Sequence, residues 1–163
     1  MQSALPTSTL APDEAFWSHM TYLRPKLTYP LPCSSLTEKK CKSIQAPALA
    51  GLLPKLHLNC HTPHAVLFWD QQFGGLALPY MYTDQGYQQL KFMVGHLHLQ
   101  DEVGKLILIA MSNLQLITGS SQPFFKNQFA KYQKWIQKWW LTSIWQFTTQ
   151  VKIVVEVSQH WAP

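Results

Sequence analysis

Hydrophobic positions fall at helical spacing along most of this chain. From the acids Asp13 and Glu14, which suit a helix N-terminus, Phe16, Trp17, Met20 and Leu23 recur on one face. Pro25, Pro30 and Pro32 predict the end of that helix, because proline lacks the N–H that continuation needs. Ser34, Ser35 or Thr37 can cap a second helix, with Lys39, Lys40 and Lys42 outward and Cys41 and Ile44 inward, interrupted or restarted at Pro47. Residues 84–97, capped by Thr83 or Asp84, carry Tyr87, Leu90, Met93, Val94 and Leu97 on one stripe. A fourth helix opens at Gln100 or Asp101 and runs through Val103, Leu106, Ile107, Ala110, Met111, Leu114 and Ile117 to Gly119 as its C-terminal stop. That helix is apolar round most of its circumference and is expected to be central and the most buried. Residues 127–147 predict a last long helix.

Two departures from helical spacing predict β structure. Residues 66–79 hold two short apolar runs, Val66 to Trp69 and Leu76 to Leu78, around Gly74 and Gly75, which free the backbone for positive φ, and so predict a short hairpin. Residues 151–157, with alternation around Lys152 and Glu156, predict a short C-terminal strand. The expected fold is mainly α: a flexible segment over 1–12, a single helical domain over 13–157, and a tail over 158–163.

Composition adds three points. At 163 residues, 47% of them hydrophobic, the chain can bury about 70% of its unfolded surface. Only 13% of residues are charged, about half the usual share, which predicts that part of the surface is covered by a partner or a longer polypeptide. The net charge of +5 is uneven. Between Val103 and Val155 there is no Asp or Glu, while Lys105, Lys126, Lys131, Lys134, Lys138 and Lys152 all fall there. A field of one sign favours polyanions. The three cysteines, Cys33, Cys41 and Cys60, form no disulfide framework. The opening residues lack a signal-peptide pattern, and the longest apolar run, 106–111, is too short for a bilayer. A soluble, intracellular, nuclear or cytoplasmic protein is expected, with no membrane partner.

Candidate chemistry is sparse. His57, Cys60, His61 and His64 are metal-ligand types, but four ligands within eight residues around Pro63 would strain a tetrahedral site, so no metal is expected. His96 and His98 fall on different faces of one helix. No Gly-x-Ser-x-Gly elbow or phosphate loop is present. Asp70 and Asp84 lie fourteen residues apart with no carboxylate between them, and offer no pair for two-metal nucleotidyl transfer. No catalytic residue, cofactor or small-molecule substrate is expected. The positive signal is Lys131, Lys134 and Lys138 at helical spacing, with Lys126 upstream and Tyr132, Trp135, Ile136, Trp139 and Trp140 interleaved. Lysines neutralise phosphates and aromatic rings stack on bases, so these lysines are the candidate nucleic-acid contacts. Most of the four tryptophans between 135 and 145 are expected in the core, with at least one partly exposed. Read as core anchors and a solvated lysine face, the same residues would leave no binding role.

A set of short motifs carries a family resemblance over residues 16–145. They are Tyr-Leu-Arg-Pro-Lys-Leu-Thr-Tyr-Pro-Leu at 22–31, Ile-Gln-Ala-Pro-Ala-Leu at 44–49, Leu-Pro-Lys-Leu at 53–56 and Gly-Gly-Leu at 74–76. Thr-Asp-Gln-Gly at 83–86, Gln-Leu at 89–90, Gly-His-Leu at 95–97 and Leu-Gln-Leu at 114–116 continue the series. In order and spacing the chain resembles the thumb and post-thumb region of eukaryotic retroelement reverse transcriptases of the non-LTR type. The resemblance implies a helical subdomain that grips a template–primer duplex of RNA or DNA through its backbone, as part of a longer polymerase polypeptide. It implies no catalysis, since the Asp-Asp box of the palm has no counterpart here. His61 and Trp69 depart from the pattern, and a truncated or degenerate element is expected. An expectation of another class is a protein-interaction module that buries exposed tryptophans against a partner.

Overall fold

The computed structural model describes residues 10–119 and 123–155, which are mainly helical and contain no strand. Within the span 13–157 the chain forms two compact units: residues up to Leu31 with Leu36–Gln85, and Pro32–Ser35 with the residues from Gly86 onward.

In the first unit, α1 (Pro12–Ser18) has proline at its first position, where a missing N–H costs nothing. Pro25 does not end the helix as expected. A π-helical turn over His19–Leu23, closed by the Arg24 N–H on the His19 carbonyl, widens the coil around the proline, and α2 (Arg24–Thr28) continues beyond it. Trp17 points to solvent, and Ala15 and His19 take the buried face. The second helix, α3 (Glu38–Leu52), is capped by the Thr37 hydroxyl, which accepts from the Lys40 N–H at 3.4 Å, and it runs through Pro47. Cys41 is buried, but Ile44 is exposed and Gln45 takes the inward place.

The expected hairpin over 66–79 is absent. Its first half is helix α4 (His64–Phe68), started by Pro63, followed by a 3₁₀ turn at Gln71–Phe73 capped by the Asp70 carboxylate. A four-residue apolar run cannot choose between helix and strand by periodicity, and the adjacent proline and aspartate caps favour helix. The return path survives: the N–H groups of Leu76, Ala77 and Leu78 bond the carbonyls of Val66, Trp69 and Leu67 at 2.8–2.9 Å. Gly74 adopts φ 78°, and a Cβ on Gly75 would lie 2.1 Å from the Trp69 carbonyl oxygen. Both glycines of the turn are therefore required, for different reasons. The core of this unit gathers Ala15, Leu52, Leu53, Leu67 and Leu78, with a smaller cluster of Leu31, Cys41 and Met81.

Helix α5 (Met81–Leu99) contributes to both units. Its expected stripe holds only in part, since Tyr87 and Val94 are exposed and the buried line is Met81, Gln85, Gln89 and Met93. The buried glutamines replace missing backbone partners. Gln85 donates to the Leu36 carbonyl and accepts from the Leu36 N–H, as an opposing strand would. Gln45 does the same between the Pro79 carbonyl and the Met81 N–H. In the second unit Gln89 donates to the Ser34 carbonyl.

The second unit continues with α6 (Glu102–Thr118), α7 (Phe129–Tyr132) and α8 (Trp140–Val151). Asp101 caps α6 by accepting from the Gly104 N–H at 2.8 Å, and Gly119 ends it at φ 60°. The most buried helix is α8 rather than α6. Leu141, Thr142, Ile144, Trp145, Phe147 and Thr148 are all buried. In α6, Ile107, Met111 and Leu114 are buried, whereas Leu106 is 65% exposed and Leu116 79%. The expected C-terminal strand is not formed at 151–155, where Lys152 ends α8 in a left-handed conformation; its remaining residues, 156–157, lie outside the described residues, as do 1–9 and the tail. Among the described residues no helix is long and apolar enough to cross a membrane.

Candidate nucleic-acid interface

The helix expected over 127–147 is broken in two, and the break shapes the candidate site. After α7, residues 133–136 turn, residues 137–139 have no regular structure, with Trp139 extended, and α8 starts at Trp140. No proline or glycine causes this. The Thr142 hydroxyl accepts from the Trp139 N–H at 2.9 Å, so a side chain takes the one bond that a continuous helix would give that N–H, while the Trp139 carbonyl accepts from both the Thr142 hydroxyl at 2.8 Å and the Ser143 N–H at 3.1 Å. Packing supplies the rest. Tyr132 and Trp145 would lie about 20 Å apart along a straight helix, yet their ring centroids are 5.8 Å apart, and Phe129 sits 5.4 Å from the same indole. The indole Nε1–H of Trp145 donates to the Asn127 carbonyl at 2.8 Å, and that of Trp140 to the Pro32 carbonyl at 2.6 Å.

The four lysines consequently do not form one helical stripe. Lys126 ends a 3₁₀ turn, Lys131 lies on α7, Lys134 in the turn that follows and Lys138 in the irregular stretch before α8. All four are exposed, and among the described residues none enters an ion pair. The Lys131 ammonium stands 5.5 Å from the centroid of the Tyr132 ring, a cation–π contact that leaves its hydrogens for another acceptor. Trp145 is fully buried and Trp140 half-buried, but Trp135 is 79% exposed and Trp139 39%, so the expectation that most of the four lie in the core does not hold. Residues 126–139 therefore present cations with the open indole of Trp135 and the partly open one of Trp139, and the nearest acids in sequence are Glu102 upstream and Glu156 downstream. Lysine donors at irregular spacing suit phosphate oxygens, and an open indole suits a base or sugar face.

The pattern of lysines and tryptophans pointed to this surface, but not to the apolar groove formed by Pro32, Phe92, Val103, Leu106, Trp139 and Trp140, of about 310 Å³. Its parts come from four separate stretches, so no local pattern marks it.

The other candidates are occupied elsewhere. Among the described residues no three His, Cys, Asp or Glu side chains could hold one metal ion. Asp70 caps a turn through the Gln72 N–H at 3.0 Å. Asp84 lies 3.5 Å from the Arg24 guanidinium; burial raises its pKa, and the arginine only partly offsets this. His96 bonds Asp101 at 2.6 Å and packs on Phe92. Comparison of the chain with protein-family models, with curated proteins and with solved structures finds no match.

Proposed function

We propose that this chain is a non-catalytic, thumb-like element of a retroelement reverse transcriptase, and that residues 126–139 lie against the phosphate backbone of a nucleic-acid duplex without reading its sequence. The observation that carries the reading is the exposure of Lys126, Lys131, Lys134 and Lys138 beside the open indole of Trp135, in a segment without a carboxylate. The order of motifs shared with such thumbs supports it, and the mainly helical fold is compatible with it. The role carries with it a nuclear or cytoplasmic location and a longer polymerase polypeptide as partner.

Changing Lys131, Lys134 and Lys138 together to Gln should weaken binding of any duplex about equally. It should also flatten the dependence of log K on log salt by about 2–3, near 0.9 per lost phosphate contact. Fluorescence anisotropy over a salt series measures both, and an unchanged slope sinks the proposal. Loss confined to one sequence would indicate base readout instead.

A second reading is a protein-interaction module, favoured by the outward apolar side chains of α6, Leu106, Ile109, Leu116 and Ile117. If Trp135→Ala and Leu106→Ser release a protein partner while duplex affinity is unmoved, that reading takes precedence.

A further inference from the structure

The open face of α6 carries an inference that does not depend on the basic segment. It concerns the same side chains as the protein-interaction reading, and it names their partner. Ile107, Met111 and Leu114 turn to the core. Leu106, Ile109, Asn113 and Leu116 follow one another at steps of three, four and three residues, and all four are exposed. They form a second stripe along the helix, with the spacing of a coiled-coil seam and one polar residue, Asn113, within it. Ile117 widens the stripe beside Leu116.

Charge narrows the choice of occupant. From Leu106 to Thr118 the helix holds no charged residue, and the two charges at its start, Glu102 and Lys105, lie 3.2 Å apart and cancel. A nucleic acid finds no free cation here. A lipid surface lacks the basic flank that holds an amphipathic helix on its headgroups. A second copy of the chain, by contrast, meets no like charge along the stripe.

Symmetry and area then fit a second copy. When two α6 helices run antiparallel about a two-fold axis at the level of Met111, Leu106 meets the partner's Leu116, and Ile109 meets the partner's Asn113. All four positions of both copies are then in contact. A shift of one heptad either way carries Leu106 or Leu116 past the end of the partner's α6. A parallel pair would set Glu102, which lies on the line of the stripe, against the partner's Glu102. Leu106, Ile109, Leu116 and Ile117 are 57–79% exposed, which amounts to about 500 Å² in each copy; about 1,000 Å² for the pair is the lower limit of a specific interface.

We propose that the chain self-associates through α6 as an antiparallel two-fold dimer, with Leu106, Ile109, Asn113 and Leu116 as its seam. An interface of this size forms at about 10–100 µM and leaves the face open in dilute solution.

Sedimentation equilibrium of the full chain tests this. The unaltered chain should show a monomer–dimer equilibrium, and Leu106→Glu or Leu116→Lys alone should weaken it at least tenfold. Both positions are exposed, so each variant should keep the helical circular dichroism and the melting temperature of the dilute unaltered chain. The two changes combined in one chain set each introduced acid against the partner's introduced base, and should restore association to within about threefold. A chain that stays monomeric at about 1 mM overturns the proposal. So does association that neither single variant weakens, or that grows beyond the dimer. A double variant that stays monomeric overturns the antiparallel register, because parallel pairing sets acid against acid. A monomeric unaltered chain removes the second copy as partner and leaves the protein-interaction reading to its own release test.

Discussion

Helices α6 and α8 belong to the same unit and are both mostly apolar, yet α8 is buried along its length and α6 keeps a broad apolar face in solvent. Hydrophobic residues round most of α6 suggested a central helix. In the folded unit Ile107, Met111 and Leu114 face the core, while Leu106, Ile109, Leu116 and Ile117 do not. The sequence of α8 is less uniform, with threonines at Thr142 and Thr148, and both are buried. Their hydroxyls donate to the carbonyls of Trp139 and Trp145 at 2.8 and 3.0 Å, which removes the cost of burying them. An apolar circumference states how much surface a helix can bury. Its neighbours decide how much it does.

The largest expected effect follows from that contrast. Trp145 is fully buried, packs on Phe129 and Tyr132, and bonds the Asn127 carbonyl. Trp145→Ala should cost about 3–5 kcal/mol, a large part of the stability of a domain this size. Leu116→Ala on the open face of α6 should stay within about 0.5 kcal/mol. Urea denaturation of the two variants measures the difference. Comparable losses would mean that the outer face of α6 is covered in the folded protein.

Two glycines of α5 sharpen the comparison at smaller magnitude. A Cβ on Gly86 would lie 2.4 Å from the ring of Phe147 on α8, whereas one on Gly95 meets nothing within 4 Å. Gly86→Ala should therefore destabilise by about 1–3 kcal/mol through overpacking against α8. Gly95→Ala should stabilise by about 0.5–1 kcal/mol, since alanine is the better helix former and has space. Thermal melts of the pair decide it, and the same sign for both would refute the close approach of α5 to α8.

What could be read from the sequence divides along the line between local and distant causes. Thr37, Asp101 and Gly119 act as caps and stops where their chemistry placed them, because a cap needs only its own turn. The helix through Pro25 was missed because a π turn depends on the fit of a whole face, not on one residue. The hairpin was missed because Val66 to Trp69 is too short to reveal a period. The buried glutamines were unreadable in the same way: Gln85 finds its partner 49 residues away at Leu36. At the candidate interface, the types of residue and the exposure of a tryptophan were legible. The single stripe was not, since the break at residues 133–139 comes from Trp145 drawing Phe129 and Tyr132 back onto itself.

The smallest expected effect separates the caps of the two helices by pH. Asp101 begins α6, and its carboxyl is held below its usual range, first by the Gly104 N–H and then by His96. The N-terminus of α8 is served by the Thr142 hydroxyl, which does not titrate near neutrality. A carboxylate whose folded pKa is depressed contributes stability that is fully present above its unfolded value, near 3.9, and is lost as pH falls through the folded value. Acidification from pH 5 to pH 2 should therefore loosen the first turn of α6 before that of α8, read as faster amide exchange there. Asp101→Asn keeps a capping oxygen but not the charge. It should melt slightly below the unaltered chain at pH 7 and together with it at pH 2. The other nearby charges, Glu102 and its partner Lys105, are exposed and 3.2 Å apart, and are common to both proteins. A gap between the two melting temperatures that stays constant from pH 7 to pH 2 would show that the Asp101 charge does not anchor α6.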